Sequence, residues 1–219
     1  MLVGVLGFIG SGKGTVGDIL SADYGFQKAS FAEHVKNVTS VMFGWSRDLL
    51  EGDTEESRKF REVPDSFWTG KFGKEFTPRL ALQLMGTEVG RQVFHENFWV
   101  HALDNKLKGS TDNFVITDVR FKNEIDYVQN NGGILIEVRR GITPHWYDIA
   151  AQANTGHSSA ERFMVERLGI HESEWRWVGC HKDHVVYNDG TLDELKIRLK
   201  KCLTDSYGSS IIDDLQQGV

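Results

Sequence analysis

Residues Gly7-Phe8-Ile9-Gly10-Ser11-Gly12-Lys13-Gly14-Thr15 carry the densest chemistry of this chain. Glycines at this spacing let successive backbone N–H groups turn inward around phosphate oxygens. A helix starting after them adds its positive N-terminus, and Lys13 reaches the outer phosphates. A nucleoside triphosphate is the ligand this chemistry suits, so Gly10, Ser11, Gly12, Lys13, Gly14 and Thr15 are the candidate ATP-binding residues. Gly14 stands directly after the lysine, where many such loops place a metal-binding hydroxyl, and Thr15 supplies one a position later. A glycine turn with no ligand is the plain alternative, and the lysine in its strand-loop-helix context argues against it.

A second stretch, residues 77–91, opens on Thr77 and Pro78, a good N-cap and first helical position. At about 100° per residue, Arg79, Gln83, Gly86 and Gly90 fall on one stripe, with Leu82, Met85 and Val89 forming an apolar stripe beside it. Two glycines inside a helix cost about 1 kcal/mol each relative to alanine. Either another segment packs closely there, or a flat ligand lies along the stripe with Arg79 at its phosphate and Gln83 at its base edge. Arg58 and Arg61, three apart on a predicted helix, can point the same way, although interleaved acids also suit a solvated charged face.

The elements that must hold these residues read as alternating strands and helices. Apolar or β-rich runs occupy residues 2–6, 27–30, 114–117, 134–138 and 184–187. Between them, Phe121, Ile125 and Val128 share a helical face that stops at Asn131-Gly132-Gly133, and Leu192, Leu195 and Leu199 share another after Asp189-Gly190. The pattern implies an α/β fold, a parallel sheet flanked by helices, with ligands at the carboxyl ends of its strands. No internal repeat or low-complexity linker interrupts it. Residues 204–219 show less pattern and are expected to be a docked or frayed appendage.

Composition limits what else the chain can be. Its 219 residues, 40% hydrophobic and 26% charged, suit one elaborated domain. A net charge of −6 argues against nonspecific binding to long nucleic acid. No apolar run approaches a membrane span, and the chain opens on a core strand without a charged leader, so a cytoplasmic protein is expected. Cys180 and Cys202 read as reduced structural thiols. The sequence is compatible with a homodimer and fixes no oligomeric state.

The loop's Gly-Lys-Gly-Thr wording is similar to that of nucleoside monophosphate kinases. With residues 77–91, Thr117-Asp118-Val119-Arg120, His157-Ser158-Ser159-Ala160-Glu161 and Asn188-Asp189-Gly190-Thr191-Leu192, the chain resembles the deoxynucleoside monophosphate kinases of tailed bacteriophages. The resemblance implies a single P-loop kinase domain over residues 1–219 with a five-stranded sheet, a helical acceptor-binding insertion at about 31–107, a lid at about 139–177 and a tail at about 204–219. It also implies transfer of the ATP γ-phosphoryl group to a deoxynucleoside monophosphate, with Mg2+. Lys36, Arg58, Arg61 and Arg79 become acceptor-phosphate contacts, with Gln83, Gly86, Thr87, Gly90 and Trp99 completing the acceptor site. Trp68 is a weaker candidate for the pocket wall.

Lys13, Asp118 and Arg120 are the candidate catalytic residues. Asp118, at a strand end, meets magnesium through its water shell, with Thr15 as the other metal-side oxygen; capping the helix near Phe121 is its alternative or additional task. Arg120 suits the acceptor or the transferred group. Asn188 and Gly190 follow the last strand and border the donor adenine, or form only a strand-to-helix turn. In the lid, Arg162 and Arg167 are the cations, His157 and Glu161 order the segment, and Ser158 or Ser159 is an alternative helix cap. Other readings are a related small-molecule kinase, of the phosphomevalonate or dephospho-coenzyme A type, and an ATP-binding regulatory module that transfers nothing.

Overall fold

The computed structural model describes residues 1–218. The chain divides into two compact units, one made of Met1–Ala29 and the chain from Ser110 onward, the other of Ser30–Gly109.

The first unit is built on five parallel strands, β1 (Leu2–Leu6), β2 (Gln27–Ala29), β3 (Phe114–Ile116), β4 (Ile134–Arg139) and β5 (His184–Tyr187), in the order β2-β3-β1-β4-β5. Every residue of β1 is buried, as a central parallel strand covered on both faces requires. β1 lies between β3 and β4, with Gly4 opposite Ile116 on one side and Leu6 opposite Glu137 on the other. The loops leaving β1 and β3 therefore emerge side by side at the carboxyl end of the sheet, where the strand order reverses.

Helices α1 (Lys13–Tyr24), α7 (Lys122–Asn130), α8 (Tyr147–Asn154), α9 (Ser158–Arg162), α10 (Leu192–Tyr207) and α11 (Ser209–Gln217) complete this unit. α10 starts with a reciprocal box, in which Thr191 Oγ1 accepts from Glu194 N and Glu194 Oε2 accepts from Thr191 N. Leu195 and Leu199 are buried, but Leu192 is exposed because it occupies the first turn, outside the packed stripe. Of residues 204–219, expected to be a docked or frayed appendage, the first four end α10 and Ser209–Gln217 form α11, whose Ile212 is fully buried in the core with Val3, Val5 and Ile19; Val219 lies outside the described residues.

The second unit is helical: α2 (Glu33–Phe43), a single turn at Asp48–Leu50, α3 (Glu55–Glu62), α4 (Ser66–Phe72), α5 (Pro78–Gln83) and α6 (Phe98–Leu107). Thr77 caps α5 by accepting from Leu80 N, with Pro78 in the first turn. The helix then widens into i→i+5 turns over Leu84–Phe94. One small core collects Trp45, Leu50, Phe76 and Ala81, with Trp68 packed against it; another joins Val35, Met85 and Trp99, with Leu82 and Val89 alongside.

Candidate active site

The loop between β1 and α1 is shaped by its glycines. Gly10 and Gly12 hold φ of 78° and 100°, and Gly12 is the N-cap of α1. A side chain at Gly12 would also overlap the Asn188 amide. Lys13 is folded onto its own loop: Nζ donates to the carbonyl oxygens of Gly7 at 2.7 Å and Phe8 at 2.9 Å. Burial pushes the Lys13 ammonium down to about 8, Arg120 adds to the fall, and Glu174 and Asp118 oppose it. These four charges therefore share one electrostatic neighbourhood. Ser11 is 3% exposed and its Oγ has no hydrogen-bond partner. Gly14 and Thr15 lie on the exposed first turn of α1.

β3 delivers Asp118 and Arg120 beside this loop. At the start of α7, Glu124 is a buried residue whose Oε2 accepts from Arg120 N at 2.7 Å and Phe121 N at 3.2 Å. Arg120 pairs with Glu174 at 2.8 Å, tying the β3 exit to residues 172–174.

Asn188, after β5, spends its side chain on the loop: Nδ2 donates to Ser11 O at 2.9 Å. Asp189 Oδ1 accepts from Gly141 N at 2.8 Å, which fastens this turn to the start of residues 139–177. Gly190 sits over the Glu194 carboxylate. Residues 139–177 also anchor on the loop through Phe8, whose ring lies 4.7 Å from Trp177 and 5.4 Å from Trp146, centroid to centroid. Beneath them, fully buried Glu137 binds Arg139 through two hydrogen bonds and pairs with Lys182, and Arg139 reaches the Tyr147 hydroxyl at 3.2 Å. Burial works to raise the Glu137 carboxyl, but these two cations outweigh it and hold it ionised below the usual range. Glu161 pairs with Arg176 at 2.5 Å. Ser158 and Ser159 do not cap α9, because His157 is the N-cap and both serines fall inside the first turn. Arg162 and Arg167 are exposed.

The second unit holds the expected acceptor residues. Lys36 lies on α2 and pairs with Glu51 at 2.5 Å. Arg58 is exposed on α3, whereas Arg61 lies against Gly52. Arg79 pairs with Glu62 across α3 and α5. Gln83 ends α5, and Thr87 is buried in the wide turns that follow.

The single stripe from Arg79 to Gly90 does not survive in the structure. Wider turns advance each residue by less than 100°, so the α-helical alignment ends at Gln83. Trp99 donates from its indole Nε1 to Gly86 O at 2.8 Å, inserting a side chain into the backbone ladder. Its buried ring fills the notch at Gly90. Packing thus offsets the cost of Gly90, and Trp99, expected at the acceptor site, is 4% exposed. Trp68 is likewise tied down, its indole N–H donating to Phe43 O at 3.1 Å.

Among the described residues, no group of three or more His, Cys, Asp and Glu side chains is placed to hold a metal by itself. Thr15 and Asp118 supply hard oxygen donors of the kind that suits magnesium carried largely by phosphates and water. No helix among the described residues is long and apolar enough to cross a membrane.

Residues 52–149 match the family model described as deoxynucleotide monophosphate kinase. A protein of Acanthamoeba polyphaga mimivirus, provisionally named deoxynucleotide monophosphate kinase, is 34% identical over 94% of this chain and 97% of its own. The deoxynucleoside-5'-monophosphate kinase of Escherichia phage T5 is 48% identical over 56 residues, 25% of this chain and 22% of that one. Among solved structures, shikimate kinase from Aquifex aeolicus superposes with a TM-score of 0.43 at 13% identity, covering 96% of this chain and 99% of that one. On the near end-to-end match to the mimivirus protein, this chain belongs to the deoxynucleotide monophosphate kinase family.

Proposed function

We propose that this chain transfers the γ-phosphoryl group of ATP to a deoxynucleoside monophosphate, giving the diphosphate. The observation that carries the reading is the meeting of Lys13, Asp118 and Arg120 in one electrostatic neighbourhood at the ends of β1 and β3. Phosphoryl transfer needs little covalent help from protein; it needs alignment, charge stabilisation and exclusion of water.

Loop amides and Lys13 bind the donor's outer phosphates. Lys13 already uses two of its three N–H donors on loop carbonyls, so turning them toward phosphate oxygens exchanges neutral acceptors for charged ones. Ser11 Oγ, orphaned and buried, gains a partner when the loop closes on a polar ligand. Asn188 holds the loop in shape through Ser11 O, and Gly190 lies in the same turn. Arg120 faces charge that builds on the transferred group, and Glu174 fixes its guanidinium. Thr15 and Asp118 are the residues that would hold magnesium, which would supply neutralisation of phosphate charge there.

Lys36, Arg58, Arg61 and Arg79 bind the acceptor phosphate, with Gln83, Gly86 and Thr87 toward its base. No general base is required, because a phosphate monoester with a second pKa of about 6 is mostly dianionic at neutral pH and already nucleophilic. The protein acts in the cytoplasm on free nucleotides.

Incubation with Mg-ATP and each of the four deoxynucleoside monophosphates, read by chromatography, tests this directly. At least one acceptor is expected to give its diphosphate with matching ADP. If none does, while ATP still binds, the transferase reading fails and a nucleotide-binding module takes its place.

A further inference from the structure

Lys36 and Arg47 converge on one carboxylate. Glu51 Oε2 lies 2.5 Å from Lys36 Nζ, and its Oε1 pairs with Arg47. Asn37 steadies Arg47 by accepting from its Nε at 2.6 Å. Arg61 joins the same turn, with its guanidinium against Gly52 and an N–H directed at Glu51 O at 3.5 Å. The cations are the sunken members of the cluster. Lys36 and Arg47 side chains are 16% and 28% exposed, against 37% for Glu51. Glu51 is thus the most exposed of these three charges, and both cations are already partly desolvated.

A carboxylate and a phosphate offer a guanidinium the same paired oxygens, but the phosphate brings a third oxygen and close to twice the charge. Glu51 lies on the turn between the Asp48–Leu50 helix and α3, followed by Gly52 at φ 78°. Its side chain can swing out without moving a helix.

We propose that Lys36, Arg47 and Arg61 form the subsite for the phosphate of a monophosphate acceptor, and that Glu51 is its resident competitor, displaced when that phosphate enters. The inference rests on the kinase reading and specifies the regulation of its acceptor site. Arg47 and Glu51 are added to the residues that recognise the substrate. Occupation of the subsite by Glu51 keeps it closed to weaker anions, because an incoming group must bind the cations better than the carboxylate does.

Opposite responses of two variants test this in the full-length protein. Arg47→Ala should raise the acceptor KM by about tenfold to a hundredfold, the worth of a hydrogen bond to a charged group, with the ATP KM changed less than about twofold. Glu51→Gln should lower the acceptor KM by about two- to fivefold, the scale of a partly exposed ion pair. Calorimetric binding of each deoxynucleoside monophosphate and its unphosphorylated nucleoside isolates the phosphate, since neither variant should change nucleoside binding. If Glu51→Gln raises the acceptor KM as Arg47→Ala does, the carboxylate is scaffold and the proposal falls. It falls too if Arg47→Ala leaves the acceptor KM unchanged in a protein that turns over normally. If wild type forms no diphosphate yet monophosphate binding follows the expected pattern, the kinase reading fails and the subsite stands.

Discussion

Alanine in place of Gly90 should destabilise this protein, although helix propensity alone argues the opposite. A Cβ at residue 90 would lie 2.5 Å from Cε2 and 2.7 Å from Cζ2 of Trp99, and closer still to Nε1. The indole cannot yield by rotating a flexible end, because it is buried and its N–H is held by Gly86 O at 2.8 Å. Propensity returns about 1 kcal/mol. Overpacking costs about 1–3 kcal/mol, and pushing the ring away sacrifices a hydrogen bond of about 1 kcal/mol. The net loss of about 1–3 kcal/mol corresponds to a fall in Tm of about 3–10 °C for a chain of this size. Thermal unfolding followed by circular dichroism measures it. The control is Trp99→Leu, which has no atom at the three colliding positions: in that background Gly90→Ala should cost at least about 1 kcal/mol less, a coupling typical of residues in contact. A Gly90→Ala protein as stable as wild type, or additive losses in the double variant, would refute the packing account. A rise in acceptor KM at unchanged stability would return Gly90 to the ligand.

Two further outcomes concern the donor side. Since burial holds the Lys13 ammonium at about 8, the free enzyme loses this charge as pH rises through 8; phosphates bind the charged form, so affinity for a nonhydrolysable ATP analogue should fall by up to about tenfold per pH unit above that point. Arg120→Gln should move this limb to higher pH and Glu174→Gln to lower pH, because Arg120 depresses the Lys13 value and Glu174 raises it; Lys13→Ala should flatten the limb and lower kcat by about 10²–10³ while keeping cooperative unfolding. Calorimetric titrations from neutral pH to about 10 read the limb in all three variants, with turnover assays and thermal unfolding for Lys13→Ala, and a limb indifferent to both neighbours would contradict the shared neighbourhood. Asn188→Ala removes the hydrogen bond to Ser11 O and should raise the ATP KM about two- to tenfold with the acceptor KM unchanged; parallel rises in both would make Asn188 a general stability residue.

How far the sequence foretold these features depends on how local their causes are. The loop of residues 7–15 was legible because glycine, lysine and a buried apolar strand stand next to one another, and the Thr77-Pro78 start of α5 because capping acts within one turn. The end of the expected stripe at Gln83 was not legible. Its causes are the widened turns and Trp99, which is 13 residues from Gly86 in sequence and meets it only in the folded unit. Glu124 went unrecognised for a different reason. It reaches back to two backbone amides without the Ser or Thr that marks the familiar capping box, so no motif announced it.

The charged residues show the same division, and it bears on function. Arg47 and Glu51 were readable as an i,i+4 pair. Spacing alone gives such a pair the meaning of a solvated helix face. Lys36 changes that meaning, since it brings a second cation to the same carboxylate from another helix and from deeper in the unit. Arg120 likewise reads as a free cation two residues after Asp118 until Glu174, 54 residues later, is found on its guanidinium. Lys36 and Arg120 were named from the sequence, whereas Glu51 and Glu174, the acids that restrain them, were not. A site built to bind phosphates must keep its cations ordered before the phosphates arrive, and in a folded chain the available anions are its own carboxylates. On the proposed function, the acids paired with these cations matter in each unit as much as the cations do, and they are the residues that periodicity and motif spacing leave unseen.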